Sequence, residues 1–237
     1  IIFTNNDSAY DTAIEFKKNG IESTIIDTRK NSDSPVVQEA KNLNIEIKFF
    51  HGVVNTSGYR RVKVATIGKF NSDKSDYESL KDIPCDCICV SGNWTPTVHL
   101  SSQSGNKLKY NEMLDAFTPN LSRQKETTIG SAGGSINLKK SLEDGFTKGF
   151  ELSNKITKNN SKSTIPTSNE KKYEKHDKFW CMPLPKKKNY KRFVDFQNDV
   201  AVSDIELAVR EGFRSIEHVK RYTTLGMATD QGKTSNL

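Results

Sequence analysis

Three stretches of this chain carry residue types whose spacing could do chemistry, and each departs from the pattern its chemistry needs. The first is Thr4-Asn5-Asn6-Asp7-Ser8-Ala9, between a short apolar run and a helical pattern. A turn at that place binds a dinucleotide when it reads G-x-G-x-x-G/A, because the backbone must approach a pyrophosphate closely. Thr4 and Asn6 fill the spaces that the first two glycines leave open. Asn tolerates left-handed backbone, and Ala9 keeps close helix packing possible, so the turn survives better than the phosphate contact. Asp27 ends the next apolar run, where an acid accepts a ribose 2′-OH, with Arg29 beside it. A vestigial or structural unit is favoured over a working nucleotide site, with Asp27 kept as a candidate cofactor contact. The second stretch, Thr128-Ile129-Gly130-Ser131-Ala132-Gly133-Gly134, precedes a helical pattern over Ser135 to Leu152. Small residues admit a close ligand and free amides at a helix start favour an anion, but a plain glycine-rich approach to a helix reads equally well. The third stretch, Phe193 to Leu237, is a compact helical pattern without a single cysteine.

Other chemistry is thinly supplied. Cys85, Cys87 and Cys89 form a C-x-C-x-C run that reads as buried strand thiols, since alternate side chains of a strand project in a row and do not converge on a metal. His51, His99, His176 and His218 are scattered, with no cluster at ligand spacing and no nucleophile, base and acid in a defensible arrangement. No catalytic residue and no metal ligand is assigned.

The formal net charge of +7 invites a nucleic-acid reading, but residues 155–192 carry 12 Lys or Arg against 3 acids, leaving the rest of the chain at −2. That segment is rich in Lys, Asn, Ser and Pro with little apolar periodicity, so it reads as a solvated connector rather than an arm for nucleic acid. No apolar run approaches the roughly 18 residues of a membrane span, and no signal peptide precedes the first strand. The expectation is a cytoplasmic protein with no nucleic-acid or membrane partner, cut at both ends from a longer chain.

The elements that must position these residues begin with a strand at Ile1 to Thr4, a helix from Ala9 to Lys18 stopped by Asn19-Gly20, and a strand at Ile21 to Ile26. Ala9, Ala13, Ile14 and Phe16 are available to face a sheet. Ser34-Pro35 predicts the cap and first turn of a helix to about Leu43, and a third strand follows at residues 45–50. Period-two alternation over residues 51–68 predicts a meander turning at Ser57-Gly58. Ile83 to Val90 reads as one continuous strand of a different sheet. Near the end, Ser203 and Glu206 suggest a capping box for a helix with Ile205, Ala208 and Val209 inward, stopped by Gly212. Ser215 starts another, with Ile216, Val219 and Tyr222 inward.

The wording of several stretches points further. In bacterioferritin-associated-ferredoxin-type domains a C-x-C pair and a G-M-G-x-C-Q-G-x-x-C segment hold an iron-sulfur cluster; here Asp195, Gln197, Asp230 and Ser235 stand at those positions. A cluster needs thiolates, so this copy is expected to bind none. VDFQNDV, REGFRSIEHVKRYTTLGMATDQGKTSN and the upstream segments closely resemble the alpha subunit of heterotetrameric sarcosine oxidase. The S-G-N-W-T-P corner at Ser91 and the Gly130 stretch also resemble the A-T-G-x-x-P and G-D-x-x-G segments of flavoprotein reductases.

The resemblance implies an α/β fold. It would hold a Rossmann-like insert at 1–83, the second half of the main FAD/NAD-linked, reductase-like dinucleotide-binding domain at 84–154, a basic linker at 155–190 and a small cluster-less ferredoxin-like module at 191–237. It implies oxidative demethylation of sarcosine to glycine with O2, the one-carbon unit passing to tetrahydrofolate in a domain beyond Leu237. FAD would lie in the beta subunit, flavin mononucleotide (FMN) near the alpha and beta subunits, and gamma and delta subunits would complete the complex. NAD would be held in this subunit by Gly130, Ser131, Ala132 and Gly133, with Ile136 and Leu138 as apolar contacts. The alternatives are a subunit of a related amine or opine dehydrogenase, or a non-enzymatic interaction module with a basic linker.

Overall fold

A computed structural model describes residues 1–157, 164–169, 176–185 and 190–232. Its first unit is a four-stranded parallel sheet in the order β3-β2-β1-β7, built from β1 (Ile2–Thr4), β2 (Thr24–Asp27), β3 (Glu46–Phe49) and β7 (Cys89–Ser91). Ile2 pairs with Ile25 and Ile25 with Ile47, which sets the apolar positions of neighbouring strands side by side. Helix α1 (Ser8–Lys18) buries Ala9, Tyr10, Ala13 and Ile14, and α2 (Pro35–Asn42) buries Val36, Val37 and Ala40. These residues form one core with Ile2, Ile25 and Ile45. Each of the larger aliphatic side chains contributes about 1.5–3 kcal/mol by leaving water. Asn19 ends α1, and Gly20 follows at φ +74°. Ser34 occupies the N-cap place of α2 but makes no side-chain capping bond, so proline at the first turn and helix packing fix that end instead.

An antiparallel meander follows: β4 (His51–Ser57), β5 (Val64–Phe70) and β6 (Tyr77–Pro84). The predicted tight turn is a loop over residues 58–63, in which a Cβ on Gly58 would collide with the Arg61 carbonyl. The expected continuous strand from Ile83 to Val90 is in fact divided. Ile83 and Pro84 end β6, paired antiparallel with Ala65 and Val64, whereas Cys89 to Ser91 lie parallel to Ile2 to Thr4. The strand thus rejoins the first sheet rather than entering a different one. Proline has no N–H to continue a ladder, which makes Pro84 a natural end.

Beyond α3 (His99–Gln103) comes the hairpin β8 (Lys107–Asn111) and β9 (Ala116–Leu121), then a 3₁₀ turn at Gly130–Gly133 and helix α4 (Leu138–Thr157). The closing unit pairs β10 (Phe193–Asp195) with β11 (Val200–Ala201) and adds α5 (Val202–Arg210) and α6 (Ile216–Thr223). Here α5 begins one residue before Ser203, and the Asp204 carboxylate accepts from the Ala201 amide at 2.8 Å. Asp204 therefore takes the capping role expected of Ser203 with Glu206. Ala208 and Val219 are buried, but Val209, Ile216 and Tyr222 are exposed, so the apolar faces expected to point inward are only partly covered. Gly212, at φ +94°, follows α5.

Candidate functional site

The carboxyl edge of the parallel sheet is where α/β folds place their ligands. In this chain side chains fill that edge. Asn6 donates from Nδ2 to the Gly92 carbonyl at 2.6 Å and accepts at Oδ1 from the Ser8 amide at 2.9 Å and the Ser8 hydroxyl at 2.6 Å. It thereby bridges the ends of β1 and β7, the gap a dinucleotide crosses. Asp7 sits at the N-cap of α1 with its side chain wholly buried, so the helix start already carries an anion.

Asp27 lies at the end of β2 as expected, but it faces inward. Its carboxylate accepts from Arg29 Nη2 at 2.8 Å, Arg29 Nε at 3.1 Å, the Arg29 amide at 2.9 Å and the Tyr10 hydroxyl at 2.7 Å. Arg29 also reaches Asp7 at 2.7 Å, and neither carboxylate is exposed. Burial works against the Arg29 charge, yet the bonds to Asp27 and Asp7 outweigh it and push its pKa further up. Burial, reinforced by the neighbouring Asp27 charge, likewise drives the Tyr10 phenol far above its usual range. Two acids, one guanidinium and one phenol thus satisfy one another, and the acceptor positions expected for a ribose are already used.

Residues 176–183, expected to belong to a solvated connector, lie across this same edge. The Asp177 amide donates to the Asn5 carbonyl at 2.9 Å, and Asn5 Nδ2 donates to the Asp177 carbonyl at 3.0 Å. Asp177 also accepts from the Thr28 hydroxyl at 3.0 Å and pairs with Lys74. Phe179 meets Phe70 edge-on at 5.2 Å, with the Lys74 ammonium 5.0 Å from the Phe179 ring. A Cβ on Gly52 would collide with the Met182 methyl, so glycine leaves the notch that Met182 fills. Farther along, Tyr77 donates to the Pro183 carbonyl at 3.0 Å. A cavity of about 440 Å³ remains beside this segment, lined in part by Arg29, Lys30, Phe50, Lys74 and His176. Polar composition concealed the docking, because its partners are distant in sequence.

The second stretch has a different character. Gly130 adopts φ +64° and Gly134 φ +99°, conformations that favour glycine. A Cβ on Gly134 would lie 3.0 Å from both Leu114 and Thr118, so glycine lets this turn seat against the β8–β9 hairpin. Ser131 is exposed, while Gly130, Ala132 and Gly133 are partly so. The helix start falls later than expected, at Leu138 rather than Ser135, and Asn137 Oδ1 caps it by accepting from the Lys140 amide at 2.8 Å. Ile136 and Leu138 are each 57% exposed. The turn presents small residues and backbone to its surroundings; the helix amides play less part than the sequence suggests.

In the closing unit Asp195, at the first cysteine position of the cluster pattern, is buried and accepts from the amides of Gln197 at 2.9 Å and Gly226 at 3.0 Å. It ties the β10 turn to the loop after α6, a structural role that spacing alone did not reveal. Gln197 lies in that turn; Asp230 accepts from the Gly232 amide at 3.2 Å, and Ser235 falls outside the described residues. Cys85, Cys87, Cys89 and Cys181 are free thiols, and Cys85 and Cys87 are not the buried strand residues expected. Among the described residues no group of three or more His, Cys, Asp or Glu converges to hold a metal, and no helix is long and apolar enough to cross a membrane.

Comparison with known proteins bears on the whole chain. Sarcosine oxidase subunit alpha of Rhizobium meliloti (strain 1021) is 29% identical over 238 residues, taking in 100% of this chain and 23% of that protein. The same subunit of Corynebacterium sp. (strain P-1) is 27% identical over 248 residues, 100% of this chain and 25% of that protein. The chain therefore spans about a quarter of the length of these curated relatives. Among solved structures, L-proline dehydrogenase from P. horikoshii superposes with a TM-score of 0.52 at 17% identity, covering 85% of this chain and 40% of that one. Thioredoxin reductase from T. acidophilum gives 0.50 at 17%, covering 66% and 52%. These likenesses place the α/β part in the fold of FAD/NAD-linked oxidoreductases. Residues 189–237 match the family described as the sarcosine oxidase A3 domain. Along its whole length, then, the chain is similar to sarcosine oxidase alpha subunits, and its residues 189–237 match the sarcosine oxidase A3 domain.

Proposed function

We propose that this chain is part of the alpha subunit of a sarcosine oxidase complex and that its own task is to hold NAD beside a flavin rather than to oxidise the amine. The observation that carries this reading is the similarity of the whole of this chain to part of the sarcosine oxidase alpha subunits, joined to a partly exposed small-residue turn at Gly130–Gly133. Gly130, Ser131, Ala132 and Gly133 would offer backbone to the dinucleotide, and Ile136 and Leu138 apolar cover. NAD held there serves as a bound structural or electronic neighbour of the flavin. Asp27 is the poorer contact, because Arg29 and Tyr10 already occupy its oxygens.

The complex would demethylate sarcosine oxidatively to glycine with O2, the one-carbon unit going to tetrahydrofolate in a downstream domain. FAD would sit in a beta subunit and FMN near the alpha and beta subunits, with gamma and delta subunits completing a cytoplasmic assembly. The A3 stretch would be a ferredoxin-like module whose thiolates have been replaced, as at Asp195, by carboxylate and amide hydrogen bonds. The test is purification of the full-length tagged protein from its own cells. Co-purification of flavin-bearing subunits with sarcosine-dependent hydrogen peroxide formation is expected; a flavin-free protein with no such activity would overturn the proposal.

A further inference from the structure

We infer that residues 176–183 are an internal ligand, a strap that occupies the adenosine side of the crevice at the carboxyl edge of the first sheet and keeps it closed to nucleotides. The crevice of such a sheet receives a ribose at the end of the second strand and a pyrophosphate over the first turn. Both places have occupants from this chain. Asp177 lies over the end of β2, held by the Thr28 hydroxyl at 3.0 Å, the Asn5 carbonyl at 2.9 Å and the Lys74 ammonium. Lys74 is itself surrounded by aromatic faces, 5.5 Å from Phe50, 5.8 Å from Phe70 and 5.0 Å from Phe179. The strap thus supplies an anion to the cation and a ring to the apolar wall, the two kinds of contact a nucleotide would offer. Across the gap, Asn6 spans from β1 to the Gly92 carbonyl where the dinucleotide would continue. The strap also anchors at its other side, with Lys178 3.0 Å from Asp115 in the β8–β9 turn.

A nucleotide could enter only by displacing Asp177 from Thr28 and Lys74. This inference is independent of where NAD is held and of the sarcosine reading. Hydrogen exchange on the full-length protein tests it, with ADP-ribose as the added probe. The Asp177 amide should exchange at least about 100-fold more slowly than an unstructured amide, and millimolar ADP-ribose should either leave that protection unchanged without binding or release it as it binds. Asp177→Ala with Phe179→Ala should raise trypsin cleavage after Lys178 by about tenfold. Unprotected exchange at Asp177 in the wild-type protein would overturn the inference, as would ADP-ribose binding at the edge with the strap still protected. The wild-type measurements decide the matter even if the double variant fails to fold.

Discussion

At the scale of single residues, the deciding group is Arg29. It compensates two wholly buried carboxylates, Asp7 and Asp27, and removing one partner of such an arrangement leaves a charge without solvent or counterion. Arg29→Met should therefore destabilise the first unit by about 3–5 kcal/mol in urea unfolding; a loss under about 1 kcal/mol would mean that the carboxylates reach solvent and the pairing contributes little. Tyr10 adds a pH signature. Burial, then the Asp27 charge, raises the phenol's pKa in the folded state, so above pH ~10 the unfolded chain releases a proton that the folded one retains. The Tyr10 contribution is thus fully present below pH ~10 and is lost as pH rises beyond it, by about 1.4 kcal/mol per pH unit. Alkaline unfolding of the wild type against Tyr10→Phe should give a slope shallower in the variant by about 1.4 kcal/mol per pH unit; equal slopes would deny Tyr10 this role. The sequence displayed Asp27 and Arg29 side by side, but not that they face each other rather than a ribose. That choice was made by Asp7 and Tyr10 arriving from α1.

At the scale of elements, periodicity revealed α1, α2 and the first three strands to within a few residues, because each packs an apolar face against the same core. It failed at Ile83 to Val90, where one apolar run is shared between β6, antiparallel to β5, and β7, parallel to β1 in another sheet, with the chain dividing after Pro84. It also failed at the strap, whose partners Thr28 and Lys74 lie more than 100 positions away in sequence. The glycine turn before α4 offers a contrast that geometry predicts. Gly134→Ala places a Cβ 3.0 Å from Leu114 and Thr118 at φ +99° and should cost about 1–3 kcal/mol. Gly145→Ala, in the open interior of α4, should stabilise by about 0.5–1 kcal/mol. Thermal unfolding of the two variants should move in opposite directions; equal shifts would show that the turn is not seated on the hairpin.

At the scale of the whole molecule, the carboxyl edge of the first sheet and the glycine turn before α4 differ in how open they are. The edge is filled by Asn6, Asp7, Asp27 and residues 176–183, while the turn at Gly130–Gly133 keeps small residues partly accessible. In the closing unit Asp195 ties the β10 turn to the loop after α6 by accepting from the Gln197 and Gly226 amides. Asp195→Ala should loosen that unit by about 3 kcal/mol, seen as faster exchange of the Gly226 amide; unchanged exchange there would deny it the role. The central claim, that the nucleotide belongs to the glycine turn before α4 and not to the edge of the first sheet, is tested most directly by bound NAD per full-length protein in two variants. Ser131→Trp should reduce NAD to background and Asp27→Ala should leave it unchanged wherever the protein stays folded. NAD retained by Ser131→Trp and lost from folded Asp27→Ala would contradict the account.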